Sequence, residues 1–314
     1  MKKMADMYHR LVNVERLRFI AAFGIVIFHT FSAEKWFLRG VGYAGLPIFL
    51  MIFSALLVYQ KQDLPLKEYA YKRMRRLLIP WVSWSVIFAI IILSKHYLFH
   101  HETQRIFSPS YFLTGTSIHL WYLPYAFTAS ILIYGAKYLY KYQERHAPFF
   151  IIIGFIASLA FLFLASYVLA TFRLPTPLPQ WIYGTPAIVL GVTFGLIMGI
   201  DSYRQKILLT LLLNALIAGF FILLFMKKNT GVVLSYSVAI PLVCFVFLWR
   251  GKADPISFEL GSLTYGIYLI HPLFISVFHL AFRNMNSLLI VISVFSLSMG
   301  TAYVLKKTRL RLLI

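Results

Sequence analysis

Arg18 and His29 stand eleven positions apart on a stretch whose intervening residues, 19–28, are all apolar or glycine. Eleven residues make close to three helical turns, so on a helix both side chains lie near one face, separated along the axis by about 16 Å. A neutral imidazole within such a stretch can act as a general base toward a hydroxyl. The plainer readings make Arg18 a snorkelling interface anchor and His29 an interior histidine bonded to a neighbouring hydroxyl. Asn13 and Glu15 stand at the entrance to the same stretch. A second histidine in apolar surroundings is His271, which follows Thr264 and Tyr268 at i, i+4, i+7 spacing and gives one helical face a polar stripe. That stripe reads either as a functional surface or as interhelical hydrogen-bond glue, worth about 0.6–2 kcal/mol per bond. The third cluster is Lys72-Arg73-Met74-Arg75-Arg76. Closely spaced guanidinium groups suit phosphate, which they bind in a bidentate manner. The phosphates of a nucleotide-bearing donor and anionic lipid headgroups fit equally well, and a simple topology anchor needs neither.

The elements that must position these groups are transmembrane. Of 314 residues, 60% are hydrophobic and 13% charged, and the mean hydropathy is +0.77. Soluble domains carry roughly 45–50% apolar and about 25% charged residues, so the bilayer is the solvent. The net charge of +20 would suggest nucleic acid in a soluble chain. Here it belongs to short loops on one side of a membrane, and no nucleic-acid partner is expected. Ten segments satisfy the span criterion, at about 14–33, 41–59, 77–98, 118–135, 149–171, 181–200, 207–226, 232–249, 258–281 and 287–304. The second is short, and Pro124 interrupts the fourth. With the N-terminus in the cytoplasm, 22 of the 30 basic residues fall inside and 8 outside, so both termini are expected in the cytoplasm. The expected fold is all-α, a polytopic transmembrane helix bundle of about ten spans, forming one domain over 1–314. The basic N-terminus is read as the start of a retained first helix, since no small-x-small cleavage pattern follows it. Cys244 reads as a small core residue. His100, His101 and Glu102 read as solvated loop residues, because adjacent ligands without further spaced partners rarely hold a metal. No metal site is expected.

Five motifs, in order along the chain, resemble those of the bacterial acyltransferase-3 integral membrane acyltransferases. Asn13-Val-Glu-Arg-Leu-Arg18 through His29 resembles the opening pattern of an Arg and a His separated by ten residues. Gly45-Leu-Pro-Ile-Phe49-Leu-Met-Ile-Phe53-Ser54-Ala55 resembles the second-span pattern, and Arg73-Met-Arg-Arg76 the Arg-x-x-Arg at the third span. His119-Leu-Trp121-Tyr-Leu123 is similar to a His-Leu-Trp-Phe-Leu element of the fourth span. Thr264-Tyr265-Gly-Ile-Tyr268-Leu-Ile-His271-Pro is similar to a late Ser-Tyr-x-Ile-Tyr-Leu-x-His signature. Residues 13–272 carry these motifs, nearly the whole chain.

The resemblance implies a multi-pass protein of the bacterial inner membrane. It implies transfer of an acyl group, acetyl above all, from cytoplasmic acyl-CoA to a hydroxyl of a cell-envelope sugar or lipid-linked glycan. By that resemblance His29 is the general base or acyl-transfer centre, Arg18 is its electrostatic partner, and Arg73 and Arg76 meet the acyl-CoA phosphates. Tyr268, His271, Ser54 and Trp121 are expected around the substrate cavity. Envelope-polysaccharide assembly proteins and membrane lipid are the implied partners. Three departures stand out: Ala55 occupies a position that is usually Gly, Glu15 replaces a common Asp, and no glutamate follows Trp121. The fused extracytoplasmic hydrolase-like domain of some members is not expected. Two other functions use the same features, export or flipping of a polysaccharide intermediate and a purely structural scaffold.

Overall fold

The computed structural model describes residues 2–32, 35–60, 64–99, 110–141, 147–200, 202–226, 230–249, 251–252, 254–282 and 285–314. Its helices are α1 (Lys2–Thr30), α2 (Trp36–Tyr43), α3 (Gly45–Tyr59), α4 (Leu66–Phe99), α5 (Tyr111–Thr114) and α6 (Tyr122–Lys141). They continue with α7 (Ala147–Thr171), α8 (Leu178–Gly199), α9 (Tyr203–Met226), α10 (Thr230–Leu248), α11 (Pro255–Ala281) and α12 (Ser287–Lys307). Single 3-10 turns occupy Ile118–Trp121 and Arg309–Leu313. No strand occurs among the described residues, so the fold is all-α. His100, His101 and Glu102 lie outside the described residues.

All ten expected spans fall on helices, and eight stretches among the described residues are long and apolar enough to cross a membrane. Two helices fall short of that standard for chemical reasons. The last eighteen residues of α1, 13–30, hold Glu15, Arg16 and Arg18, and α6 carries five tyrosines. Both are needed inside the bundle: α1 packs on α2, α3, α10, α11 and α12, and α6 packs on α3, α4 and α8. The outer helices show what the bundle faces. On α9, Leu208, Leu211, Leu212, Leu216, Ile222 and Leu223 are exposed, as are Ile152, Ile156 and Phe163 on α7. Helices apolar all round and bare on their outer side belong in lipid.

Local chemistry sets the boundaries. The 3-10 turn at 118–121 starts the fourth span, and Pro124 sits in the first turn of α6. First-turn N–H groups have no intrahelical partner, so a proline there removes nothing. The expected interruption is absent. Basic residues 72–76, expected just ahead of the third span, lie within the continuous 34-residue α4, which passes through Pro80. The second span is divided at Ala44 into α2 and α3. Asp254 caps α11, accepting from the N–H groups of Ile256 at 3.0 Å and Ser257 at 3.3 Å, with Pro255 as first residue.

Closest packing joins α3 to α8 along Gly191-Val-Thr-Phe-Gly195, a small-xxx-small stripe. A Cβ at Gly195 would lie 2.7 Å from the Ala55 carbonyl oxygen and 2.6 Å from Val58 Cβ. Ala55 is buried there, so the alanine is small enough for the contact. Two apolar clusters result. One joins α3, α8 and α10 with parts of α7 and α9; the other joins α1, α4, α11 and α12. The site lies where the two meet.

Candidate active site

A cavity of ≈ 170 Å³ opens between α1, α3, α4, α6 and α11. Its apolar wall is the α3 face carrying Leu46, Phe49, Ile52, Phe53 and Leu56, and its polar wall is Arg18, Arg73, Arg76, Tyr122, Tyr265 and Tyr268. Helical spacing explains the pairing on α4, since Arg73 and Arg76 are three residues apart and share a face, with Leu77 beside them in the lining. Arg73 lies over the Tyr69 ring, 5.1 Å from its centroid, and Arg75 over Tyr71 at 5.9 Å. Arg75 does not line the cavity. The Tyr265 hydroxyl donates to the Arg76 carbonyl at 3.2 Å, joining α11 to α4 at the cavity rim.

Arg18 is not alone. Its Nη1 donates to both carboxylate oxygens of Glu15, at 3.0 and 2.9 Å, and the side chains are 22% and 14% exposed. Glu15 in turn packs on Gly261 of α11, where no side chain larger than hydrogen fits. The entrance is tied down by neighbours. Asn13 Nδ2 donates to the Trp249 carbonyl at 3.0 Å, and Arg16 Nε donates to Ser257 Oγ at 2.8 Å. Arg16 also lies 3.4 Å from Asp254. The Asp254 carboxyl, outside the spans, is held below the usual carboxylate range by the Ser257 hydroxyl, then by the Ile256 N–H and Arg16.

Past Tyr268 lies a second compartment built from three histidines. The His29 and His271 ring centroids are 5.2 Å apart and those of His119 and His271 5.8 Å. His119 and His271 are buried, whereas His29 is exposed. Tyr268 separates the two compartments. It lines the cavity, its ring is 5.8 Å from His119 and 6.0 Å from His271, and its hydroxyl donates to the His119 carbonyl. His119 Nδ1 is 2.9 Å from Ser117 Oγ, and its buried Nε2 has no hydrogen-bond partner among the described residues. Among the described residues no group of three or more His, Cys, Asp or Glu is arranged to hold a metal ion.

Several expectations change with this geometry. Arg18 and His29 both face the bundle interior but not each other: Arg18 belongs to the cavity and its partner is Glu15. The guanidinium at the His29 end is Arg39, 4.9 Å over the Phe28 ring, which itself lies 4.9 Å from the His29 ring. Among the described residues His29 makes ring contacts, to Phe28 and His271, rather than a hydrogen bond. Thr264 and His271 bond carbonyls of their own helix, at Gly261 for Thr264 and at Ile267 and Tyr268 for His271. Only Tyr268 among the polar stripe makes an interhelical bond. Ser54 is fully buried and donates to the Leu50 and Met51 carbonyls at 2.8 and 3.3 Å, on the face toward α8. Trp121 packs on Tyr122 and Tyr125 in the α3–α8 cluster, and neither it nor Ser54 lines the cavity.

Sequence reasoning missed His119, Glu15, Tyr122 and Tyr265 as site residues. Depth was the available signal for His119, which starts the fourth span at the end where His29 leaves the first. Tyr122 and Tyr265 lie within the fourth-span and late motifs, but aromatic residues are common in spans and at their interfaces, so residue type did not set them apart.

The fold and site define a polytopic α-helical membrane protein in which a three-arginine cavity abuts a histidine cluster. A family model described as an acyltransferase domain matches residues 11–307, and the chain belongs to this acyltransferase-3 family as an integral membrane acyltransferase. No curated protein and no solved structure matches the chain.

Proposed function

We propose that the protein transfers an acyl group, acetyl in the simplest case, from cytoplasmic acyl-CoA to a hydroxyl of a cell-envelope sugar, in the bacterial inner membrane. The observation that carries this reading is the junction at Tyr268, where a cavity lined by Arg18, Arg73 and Arg76 meets the histidine cluster. Guanidinium groups on one wall suit the phosphates of a nucleotide donor. The basic residues gathered at that end support a cytoplasmic side for it and for both termini, by the positive-inside rule. Arg73 and Arg76 carry the phosphate contacts, while Arg18, already neutralised by Glu15, adds less. The thioester arm then covers the ~16 Å of α1 between Arg18 and His29, passing Tyr122 and Tyr268.

At the histidine end the chemistry is proton transfer. The acceptor hydroxyl oxygen attacks the thioester carbonyl carbon while His29 takes the hydroxyl proton. The tetrahedral intermediate collapses, the carbon–sulfur bond breaks, and the thiolate recovers the proton from His29, leaving ester and free CoA. His29 is the one exposed member of the cluster, so it alone meets an incoming acceptor. The test uses the full chain in nanodiscs with radiolabelled acetyl-CoA, together with ester analysis of the surface glycan in cells. His29→Ala is expected to abolish acylation while the protein remains folded in the membrane. Full acylation by that variant overturns the base assignment. Movement of a lipid-linked sugar without any acyl-CoA requirement replaces the transferase reading with export.

A further inference from the structure

His271 is fully buried on α11. Its Nδ1 lies 2.8 Å from the Tyr268 carbonyl oxygen and 3.2 Å from that of Ile267. Carbonyl oxygens only accept, so the network assigns the hydrogen to Nδ1 and leaves Nε2 of the neutral ring with a lone pair. That Nε2 is buried and has no hydrogen-bond partner among the described residues. An unsatisfied buried acceptor is unfavourable and uncommon, and it points to a partner supplied in the working state. Two rings adjoin it. His119 is occupied at Nδ1 by Ser117. His29 makes no hydrogen bond to a described residue, and its ring is tilted 43° to that of His271 at 5.2 Å. The structure does not close a bond between them; because ring nitrogens sit at the rim of each imidazole, a rotation of the exposed His29 ring that turns a nitrogen toward Nε2 at that centroid separation brings the pair to the roughly 3 Å that a hydrogen bond needs.

We propose that His271 is a positioning residue for acyl transfer, its Nε2 accepting a hydrogen bond from one ring N–H of His29. This rests on the acyl-transfer reading above. The bond fixes the His29 tautomer, leaving its other nitrogen free as the base. When His29 takes the acceptor proton it becomes an imidazolium, and the same bond, now charge-assisted, holds that cation until the proton passes to the departing thiolate. His271 keeps its own proton on Nδ1 throughout. It does for His29 what a buried carboxylate does for the histidine of a Ser-His-Asp triad. No hydrogen bond links an acidic side chain to any of the three histidines among the described residues.

Two substitutions separate this role from packing. His271→Asn keeps a donor for the Tyr268 carbonyl but has no atom at the Nε2 position, whereas His271→Gln returns an amide oxygen there. With the full chain in nanodiscs and acetyl-CoA as donor, His271→Asn is expected to lower kcat by about 100-fold. Its KM for acetyl-CoA and its thermal midpoint stay unchanged, and His271→Gln recovers kcat to within about tenfold of wild type. Wild-type kcat in His271→Asn, or equal losses in both variants with a lowered thermal midpoint, overturns the proposal. A second measurement stands apart from activity: the 15N shifts of His29 in labelled protein report its tautomer. They are expected to show one tautomer in wild type and a mixture in His271→Asn. Identical spectra overturn the positioning role even if acyl transfer is confirmed. An altered His29 spectrum in a protein that transfers no acyl group retains the histidine pair and removes only the reaction assigned to it.

Discussion

Glu15→Gln separates charge from packing at the cavity. The amide keeps the volume that fits against Gly261 and can still accept one hydrogen bond from Arg18, but it removes the only carboxylate paired with a cavity arginine among the described residues. Two effects follow, of opposite sign. Breaking an exposed ion pair costs about 0.2–1 kcal/mol, and breaking a buried one about 3–5 kcal/mol. With Arg18 22% and Glu15 14% exposed, solvent screening places the stability loss between these, at about 1–3 kcal/mol. Meanwhile the cavity gains one unit of positive charge. A unit charge about 10 Å from a phosphate contributes roughly 1.7 kcal/mol at an effective dielectric of 20, and salt reduces this. The dissociation constant for CoA should therefore fall by about three- to tenfold while the thermal midpoint drops. Isothermal titration of CoA into nanodisc-held protein reads the first, and a thermal-shift series the second. The gain should shrink as salt is raised. Weaker or unchanged CoA binding in Glu15→Gln would refute the assignment of this cavity to the donor phosphates.

Arg73→Ala and Arg76→Ala should each raise the KM for acetyl-CoA by about 10- to 100-fold, the loss of one charge-assisted contact worth roughly 1.5–3 kcal/mol. Arg75→Ala, which removes a guanidinium outside the cavity lining, should leave that KM unchanged; equal effects at all three positions would mean a surface-charge effect. Gly195→Val should destabilise the protein by about 1–3 kcal/mol through overpacking of α3 on α8, read as a lowered thermal midpoint, with little change in the midpoint for Gly199→Val, where a Cβ meets nothing within 4 Å. Asp254 has a lowered pKa, so its cap stabilises the folded state fully above the ordinary carboxylate value of 3.8 and loses that contribution as pH falls through the lowered value. The thermal midpoint of Asp254→Asn should therefore lie below wild type near neutrality and converge with it in acid; a constant difference across that range would exclude the ionised cap.

Much of the fold is legible in the chain because lipid imposes simple rules. A span needs a long apolar run with all backbone groups bonded internally, and each of the ten expected segments lies on a helix. The differences arise where a local signal was read without its register. Pro124 looked like a break because its place in a helix was unknown; in the first turn of α6 it costs no hydrogen bond. The run 72–76 was expected just ahead of the third span because charge ends a hydropathy window, yet arginine is a good helix former and α4 passes straight through it.

By itself the sequence determined the membrane class, the helical architecture, the family and the three places where chemistry-bearing residues interrupt apolar runs. Which of those residues meet was decided only by tertiary packing. Spacing along α1 put Arg18 and His29 on a common face, but a common face says nothing about distance to a third helix. The crossing of α1 with α11 brings His29 to His271 and sets Arg18, already paired with Glu15 three residues earlier on α1, into the cavity wall. The 3-10 turn ahead of α6 adds His119 to the cluster, and the small-residue contact of α3 with α8 turns Ser54 away from the cavity. Lipid specifies each helix separately from composition, whereas contacts between helices depend on side-chain shape at crossings hundreds of residues apart in the chain. The division between a cation-lined cavity and a histidine cluster, with Tyr268 between them, is a property of those crossings.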